Sequence, residues 1–226
     1  GLGYLTTLSL KDNDLKSIHG DSFQGLISLE ILDLRNNDIY QLRKDAFSGL
    51  PKLVELRLDN NDISMLENTI FTLLPGIECI SLVNNKITSL SRVFSNLNFL
   101  TRLDLDTNLI DKIRQFNFSS SPRLKHILLQ SNLIKDIELS AFDDLHDLEL
   151  INIQNNPLEG EQVLQLPSQA LFNYHPLIET LTPDEIYKYV VRYHKNTRFV
   201  DQVLLSKKIS DKTIAFLRLL GYESKY

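Results

Sequence analysis

The sequence has few of the residues from which many catalytic and metal sites are built. It contains one cysteine, Cys79, and no tryptophan in 226 residues. A single cysteine excludes an internal disulfide and any zinc site made from several cysteines. The histidines are scattered, with none at the spacing of a metal site: His19, His126, His146, His175 and His194. We therefore expect no metal and no cofactor.

Long apolar runs, excess positive charge and catalytic motifs are missing as well. No stretch approaches 18 consecutive apolar residues, which excludes a membrane-spanning helix within this sequence. Lysine and arginine number 24 against 29 aspartate and glutamate, whereas nucleic-acid binding needs a concentrated positive face. No G-x-S-x-G, H-E-x-x-H, phosphate-loop or dinucleotide-loop motif is present. The sequence predicts neither an enzyme nor a nucleic-acid-binding protein.

Leucine, in contrast, is abundant and periodic, filling 43 of the 226 positions. Seven units of 23 or 24 residues begin at Leu5, Leu29, Leu53, Ile77, Leu100, Leu124 and Leu148. In each unit the first, fourth and sixth positions are apolar. The ninth position is always asparagine, at Asn13, Asn37, Asn61, Asn85, Asn108, Asn132 and Asn156. Six units also carry a phenylalanine in their second half, at Phe23, Phe47, Phe71, Phe94, Phe118 and Phe142.

This pattern resembles the leucine-rich-repeat family, whose units read L-x-x-L-x-L-x-x-N. The resemblance covers residues 1–158, about 70% of the chain. It implies an α/β solenoid with a parallel β-sheet on the concave side and an irregular or short-helical convex side. Elementary physics leads to the same fold, because a strand such as Leu32-Asp33-Leu34 cannot bury its own leucines and must stack on its neighbours.

The length of the units resembles one class of the family. Units of 24 residues are typical of animal extracellular repeats, such as Toll-type receptor ectodomains and secreted invertebrate proteins. The resemblance therefore implies a secreted or cell-surface protein. Asn117-Phe118-Ser119 is a sequon for N-glycosylation, and we expect the Asn117 side chain to point outward on the convex side.

The two ends of the sequence carry separate predictions. Gly1-Leu2 corresponds to Gly25-Leu26 of the next unit, so the chain starts inside a repeat, and we expect a further unit or a cap upstream. Residues 159–226 lack the pattern and the cluster of cysteines found in disulfide-capped members. Thr182-Pro183-Asp184-Glu185 is typical of a helix start, which favours a helical segment that caps the last unit. The alternative is a separate interaction segment.

The candidate binding surface is the concave sheet, where the third, fifth and seventh positions of each unit point outward. We expect a mixed-charge docking site for a protein or peptide, made of Asp33, Arg35, Glu55, Arg57, Asp59, Arg102, Asp104, Asp106, His126 and Leu128. Stacking should pair Asp33 with Arg57 and Arg35 with Asp59, about 4.8 Å between strands. The alternative is a charge ladder that neutralises itself and contributes little stability. Loop geometry does not support calcium binding by Asp59, Asp104 and Asp106.

Two further features of the concave side keep alternatives open. Val83, His126, Leu128 and Leu150 form a less polar patch, which either binds a partner or is covered by the C-terminal segment. Cys79 falls on an outward position, where it either pairs with a cysteine elsewhere or fills a half-buried gap between strands.

Together these observations predict a non-enzymatic protein-binding module, the recognition part of a secreted or cell-surface protein. One alternative is an intracellular scaffold or regulatory subunit, which the lack of cap cysteines favours. A second is a matrix or structural assembly protein that associates through its edges and convex face.

Overall fold

A computed structural model describes residues 1–138 and 140–158 of the chain. The helical segment predicted beyond residue 158 lies outside the described residues. Seven three-residue strands, one from each unit, form a single parallel sheet. They are β1 Thr7–Ser9, β3 Ile31–Asp33, β5 Glu55–Arg57, β6 Cys79–Ser81, β7 Arg102–Asp104, β9 His126–Leu128 and β11 Leu150–Asn152. Residues Gly1–Pro157 form one compact unit.

The register of the sheet follows the repeat. Leu32 pairs with Leu56, and Leu56 pairs with Ile80, so the fourth positions of neighbouring units are aligned. These central side chains are fully buried, while the residues on either side of them in most strands are half-exposed. Alternation along each strand therefore separates a buried face from a concave one, as the sequence predicts.

The other side of the solenoid is mostly turns. It contains two short parallel pairs, β2 (Ser17–Ile18) with β4 (Gln41–Leu42), and β8 (Lys112–Ile113) with β10 (Asp136–Ile137). The described residues also include one 3₁₀ helix, Gln115–Asn117. The solenoid with a parallel concave sheet and an irregular convex side is confirmed.

The phenylalanines of the six units are all buried, and five of them form two stacks beneath the convex turns. Phe47 lies 6.1 Å from Phe71, and Phe71 lies 5.6 Å from Phe94, between ring centroids. Phe118 and Phe142 form a second stack at 5.9 Å. The interruption falls between the fourth unit, which is one residue short, and the fifth, where Ser121 replaces the usual leucine. The Ser121 hydroxyl is buried and donates to the carbonyl of Phe94 at 2.8 Å, which satisfies it.

The ninth-position asparagines form a buried ladder that joins consecutive units. Asn61 is typical: its Nδ2 donates to the Leu58 carbonyl at 2.9 Å in its own unit and to the Leu34 carbonyl at 3.1 Å in the preceding one. Its Oδ1 accepts from the amide of Ile39 at 3.0 Å. Because the chain turns sharply after each strand, these backbone groups have no strand partner, and the amide side chain supplies one.

A second, exposed ladder runs beside the first and was not predicted. The eighth position of each unit takes a positive φ, between 54° and 59°, as at Asn36, Asn60 and Asn84. Asparagine tolerates this left-handed conformation better than most residues. The side chain of Asn60 donates to Asn36 at 2.7 Å, and that of Asn84 donates to Asn60 at 2.9 Å. The turn at the end of each strand therefore explains why two consecutive asparagines recur in four of the seven units.

Candidate binding surface on the concave sheet

The charged residues of the concave sheet are held mainly by neighbours on the same segment. Arg35 Nη2 lies 2.6 Å from Asp33 Oδ2, and Arg57 Nε lies 2.7 Å from Glu55 Oε1. Arg102 Nη2 lies 2.8 Å from Asp104 Oδ2. In each pair the partners are two residues apart, so their side chains share one face of the sheet and a long arginine can fold back along its own segment.

The predicted pairing between units is therefore only partly correct. Asp33 does face Arg57 in the register of the sheet, but the Arg57 Nη1 to Asp33 Oδ2 distance is 3.9 Å, longer than the contact with Arg35. Arg35 and Asp59 form no ion pair, and within residues 1–138 and 140–158 Asp59 has no cationic partner closer than 4.0 Å. The arginine instead takes the carboxylate two positions earlier in its own unit.

Asp33 departs from the expectation in a second way, because it is buried. It is 6% exposed and accepts hydrogen bonds from both the backbone and the guanidinium of Arg35. The hydrogen bond from the Arg35 guanidinium holds the pKa of Asp33 below its usual value. Asp33 is therefore a support for Arg35 and not an open contact for a partner.

The aspartates of the fifth unit, Asp104 and Asp106, have raised pKa values, in contrast to Asp33. Burial raises the pKa of Asp104, and the hydrogen bond from Arg102 only partly offsets this effect. Burial also raises the pKa of Asp106. Asp104 Oδ1 is buried and has no hydrogen-bond partner among the residues that the structure describes. Carboxylates whose pKa rises on burial in a shared hollow are frequent at binding sites.

Asp59 and Asp106 each accept a hydrogen bond from the backbone of the following unit. Asp59 Oδ1 accepts from the amide of Val83 at 2.9 Å and from the Ser81 hydroxyl. Asp106 Oδ1 accepts from the amide of Gln130 at 2.6 Å. The side chains of both aspartates are half-exposed and fixed in position. With Asp104, they do not form a metal site, since no group of three or more candidate ligands in the described part of the chain could hold an ion.

The less polar patch lies where the sequence places it. Val83, His126, Leu128 and Leu150 are all half-exposed on the sheet. The Nε2 atom of His126 lies 3.6 Å from a carboxylate oxygen of Glu149, a residue that also pairs with Lys125 at 2.7 Å. Whether the segment after residue 158 covers this patch lies outside the described residues.

Cys79 is a half-buried residue of the third-position row and stands between Glu55 and Arg102. Burial raises its pKa to about 11, and the charges of Glu55 and Asp104 add to the effect. The thiol is therefore protonated at neutral pH and is a poor nucleophile. This environment fits the interpretation of Cys79 as a gap filler.

The expected orientation of Asn117 is wrong. The residue is 2% exposed, and its Nδ2 donates to the carbonyl of Ser91 at 2.5 Å. Its Oδ1 accepts from the amide of Arg114 at 2.6 Å, closing the 3₁₀ helix. The amide nitrogen to which a glycan would be attached is therefore inaccessible in the folded chain.

A polar cavity of about 340 Å³ lies beside Asn117, and no sequence motif indicates it. Its lining includes three cationic residues, Arg92, Lys112 and Arg114. Arg114 pairs with Glu138 at 2.7 Å, Lys112 lies 3.6 Å from Asp136, and Arg92 stacks on the Phe116 ring at 5.2 Å. Each cation is already engaged, so the cavity offers no concentrated positive charge to an anion.

The fold and the concave surface define a class: a solenoid of stacked leucine-rich units with one continuous sheet. The family described as "Leucine rich repeat" matches residues 3–63, 51–110 and 99–158, and the chain belongs to this family. Stacked repeats of this kind form scaffolds for protein interaction. In the described residues, no helix is long and apolar enough to cross a membrane.

Individual relatives cover only part of the chain. Epiphycan of Mus musculus is 34% identical over 38% of this chain and 26% of its own length. Epiphycan of Gallus gallus is 32% identical over 42% of this chain and 37% of its own length. The chain therefore spans between about a quarter and two fifths of the curated relatives' length.

Solved structures match over about three quarters of the chain. A leucine-rich-repeat protein of Leptospira interrogans is 27% identical with a TM-score of 0.63, covering 72% of this chain and 41% of that one. The TLR13–ssRNA13 complex is 26% identical with a TM-score of 0.63, covering 74% and 24%. The glycosylated Toll–Spatzle complex of Drosophila is 25% identical with a TM-score of 0.64, covering 77% and 22%.

Proposed function

We propose that this chain is the recognition part of a secreted or cell-surface protein and binds a protein or peptide partner on its concave sheet. The observation that carries the proposal is a row of seven aligned strands whose outward side chains are ordered by hydrogen bonds and are not needed by the core. A surface that is already ordered loses little conformational entropy on association.

Two observations support a location outside the cell: the length of the repeat units and the similarity to a solved receptor complex. The units have the length typical of animal extracellular repeats, and the Toll–Spatzle complex that the chain resembles was solved in a glycosylated form. The sequon at Asn117 gives no support, because its acceptor is buried.

A protein partner fits the charge of the concave sheet better than a nucleic acid. Arg35, Arg57 and Arg102 each pair with a carboxylate at 2.6–2.8 Å, which leaves no concentration of free positive charge. Phosphate backbones need such a concentration. The ssRNA of the TLR13 complex belongs to that protein, and the concave sheet of this chain favours a protein partner.

Photocrosslinking tests the proposal. A benzophenone amino acid at Gln130, on the concave side, or at Thr72, on an exposed convex turn, leaves the buried positions untouched. Each variant would be incubated with the secreted and membrane fractions of the source organism. We expect a protein to be cross-linked from Gln130 and not from Thr72.

Cross-linking from Thr72 alone would contradict the proposal and move the function to the convex side. Charge reversal is a poorer test than it looks from sequence. Arg57→Glu would place a third carboxylate beside Glu55 and Asp33. Arg102→Glu would place a second carboxylate beside Asp104. Loss of binding in those variants would not separate recognition from folding.

A further inference from the structure

The pairing pattern leaves a particular charge open on the concave sheet. Three arginines are matched with Asp33, Glu55 and Asp104. Among the described residues, Asp59 and Asp106 have no cationic partner within 4.0 Å. Each uses one oxygen, Oδ1, to accept from the amide of the next unit, at 2.9 Å and 2.6 Å. The second oxygen of each accepts no hydrogen bond from any residue the structure describes.

The two carboxylates are also separated in a defined way. Asp59, Val83 and Asp106 follow the neighbouring strands β5, β6 and β7 at equivalent positions. Since adjacent strands lie about 4.8 Å apart, the two carboxylates are about 10 Å apart with Val83 between them. The row then continues with Gln130 and Gln154. The apolar Leu128 and Leu150 lie beside it, at the fifth and third positions of the last two units.

We infer that the concave sheet receives a segment of a protein partner that carries two cationic side chains about 10 Å apart with an apolar side chain between them. This inference rests on the proposed function and names the chemistry of the partner. Each cation would bind the free oxygen of Asp59 or Asp106, and the apolar side chain would contact Val83. Carboxylates that are already held by a backbone amide accept such charge-assisted hydrogen bonds without further ordering.

The electrostatics of the free chain are consistent with this occupant. Burial, together with the negative charge of Asp104, raises the pKa of Asp106. A cation from the partner would offset both effects. The apolar neighbours would exclude water around the pair and strengthen it.

Selection from a random library of 12-residue peptides displayed on phage, with the full chain immobilised, tests the inference. Selected sequences would be synthesised and their affinities measured by fluorescence anisotropy. We expect enriched peptides to contain at least two lysines or arginines around an apolar residue. The double variant D59N/D106N should lower their affinity at least tenfold, because asparagine keeps the oxygen that accepts from the next unit and loses the charge.

The matched control is D14N/D38N, which makes the same change in net charge at two exposed aspartates away from the sheet. It should change affinity less than twofold. The single variant Val83→Ser, which leaves both carboxylates in place, should lower affinity about fivefold. Circular dichroism melts of all three variants check that they fold.

Enrichment of peptides without basic residues, failure to select any peptide, or equal loss in D59N/D106N and D14N/D38N would overturn the inference. None of these results bears on the proposed function, which stands if photocrosslinking from Gln130 still captures a protein. Failure of that photocrosslinking, in turn, would remove the surface on which this inference rests.

Discussion

At the residue scale, the eighth and ninth positions of the units, both asparagine in four of the seven, have different roles. The buried Asn61 bonds to four backbone groups, whereas the exposed Asn60 bonds to its counterparts in the two neighbouring units. Loss of the buried asparagine leaves backbone groups that water cannot reach. Loss of the exposed asparagine leaves groups that can form hydrogen bonds with water.

Asn61→Ala should therefore lower the free energy of unfolding by about 2 kcal/mol, because it leaves the buried Ile39 amide without its partner. The Leu34 and Leu58 carbonyls would each keep one asparagine donor, Asn37 and Asn85 respectively. Asn60→Gly, which keeps the positive φ accessible, should cost less than about 1 kcal/mol. Urea denaturation of both variants measures the difference. Equal losses would contradict the distinction between the two ladders.

The Asp33–Arg35 pair predicts a dependence of stability on pH. Because the folded pKa of Asp33 lies below its unfolded value, its contribution is present above the unfolded pKa and is lost as the pH falls through the folded pKa. Asp33→Asn should lower stability at pH 7 by about 1 kcal/mol, allowing for solvent around Arg35. The urea midpoint should then fall less steeply below pH 4 than in the wild type. An unchanged acid dependence would show that another carboxylate dominates it.

Asn117 gives a prediction about modification. The chain expressed in a eukaryotic secretory host should fold and leave Asn117 unmodified, because a glycan on Nδ2 is incompatible with its contact to Ser91. Peptide mass spectrometry before and after enzymatic deglycosylation measures this. A folded, stable product with a glycan at Asn117 would show that the convex turn of the fifth unit adopts another arrangement.

At the scale of elements, the repeat period predicts the strands, their register and the buried phenylalanines, because each follows from where apolar side chains recur. The period does not predict which carboxylate an arginine chooses. Asp33 and Asp59 both lie next to Arg35 on the concave sheet. The conformation of the Arg35 side chain places its guanidinium on Asp33, and the repeat pattern does not specify that conformation. Nor does it predict the burial of Asn117, whose side chain bonds to the backbone of Arg114 and Ser91.

The interruption of the phenylalanine stack yields a prediction about coupling between units. A double-mutant cycle with Phe47→Leu and Phe71→Leu should give a coupling energy of about 1 kcal/mol, since the rings are stacked at 6.1 Å. The same cycle at Phe94 and Phe118, which lie on either side of the interruption, should give a smaller coupling energy. Equal coupling energies, measured by urea denaturation, would mean that the short fourth unit leaves the core continuous.

At the scale of the whole molecule, repetition makes the concave sheet a rigid surface. Every unit contributes side chains at three outward positions, and backbone bonds between units fix their spacing. Variation at those positions changes the surface without changing the core. The sequence therefore identifies the surface and its candidate residues, while the structure decides which charges are open, Asp59 and Asp106, and which are already matched.

Hydroxyl-radical footprinting of the chain with its cross-linked partner protein tests the central claim most directly, because it reports side-chain accessibility on every face at once. If the partner lies on the concave sheet, oxidation of Val83, His126 and Leu128 should fall at least threefold on binding. Oxidation of Tyr40, Met65 and Leu133, which are 57%, 75% and 51% exposed away from the sheet, should stay the same. Protection of Tyr40, Met65 and Leu133 with unchanged oxidation of the concave side chains would contradict the account.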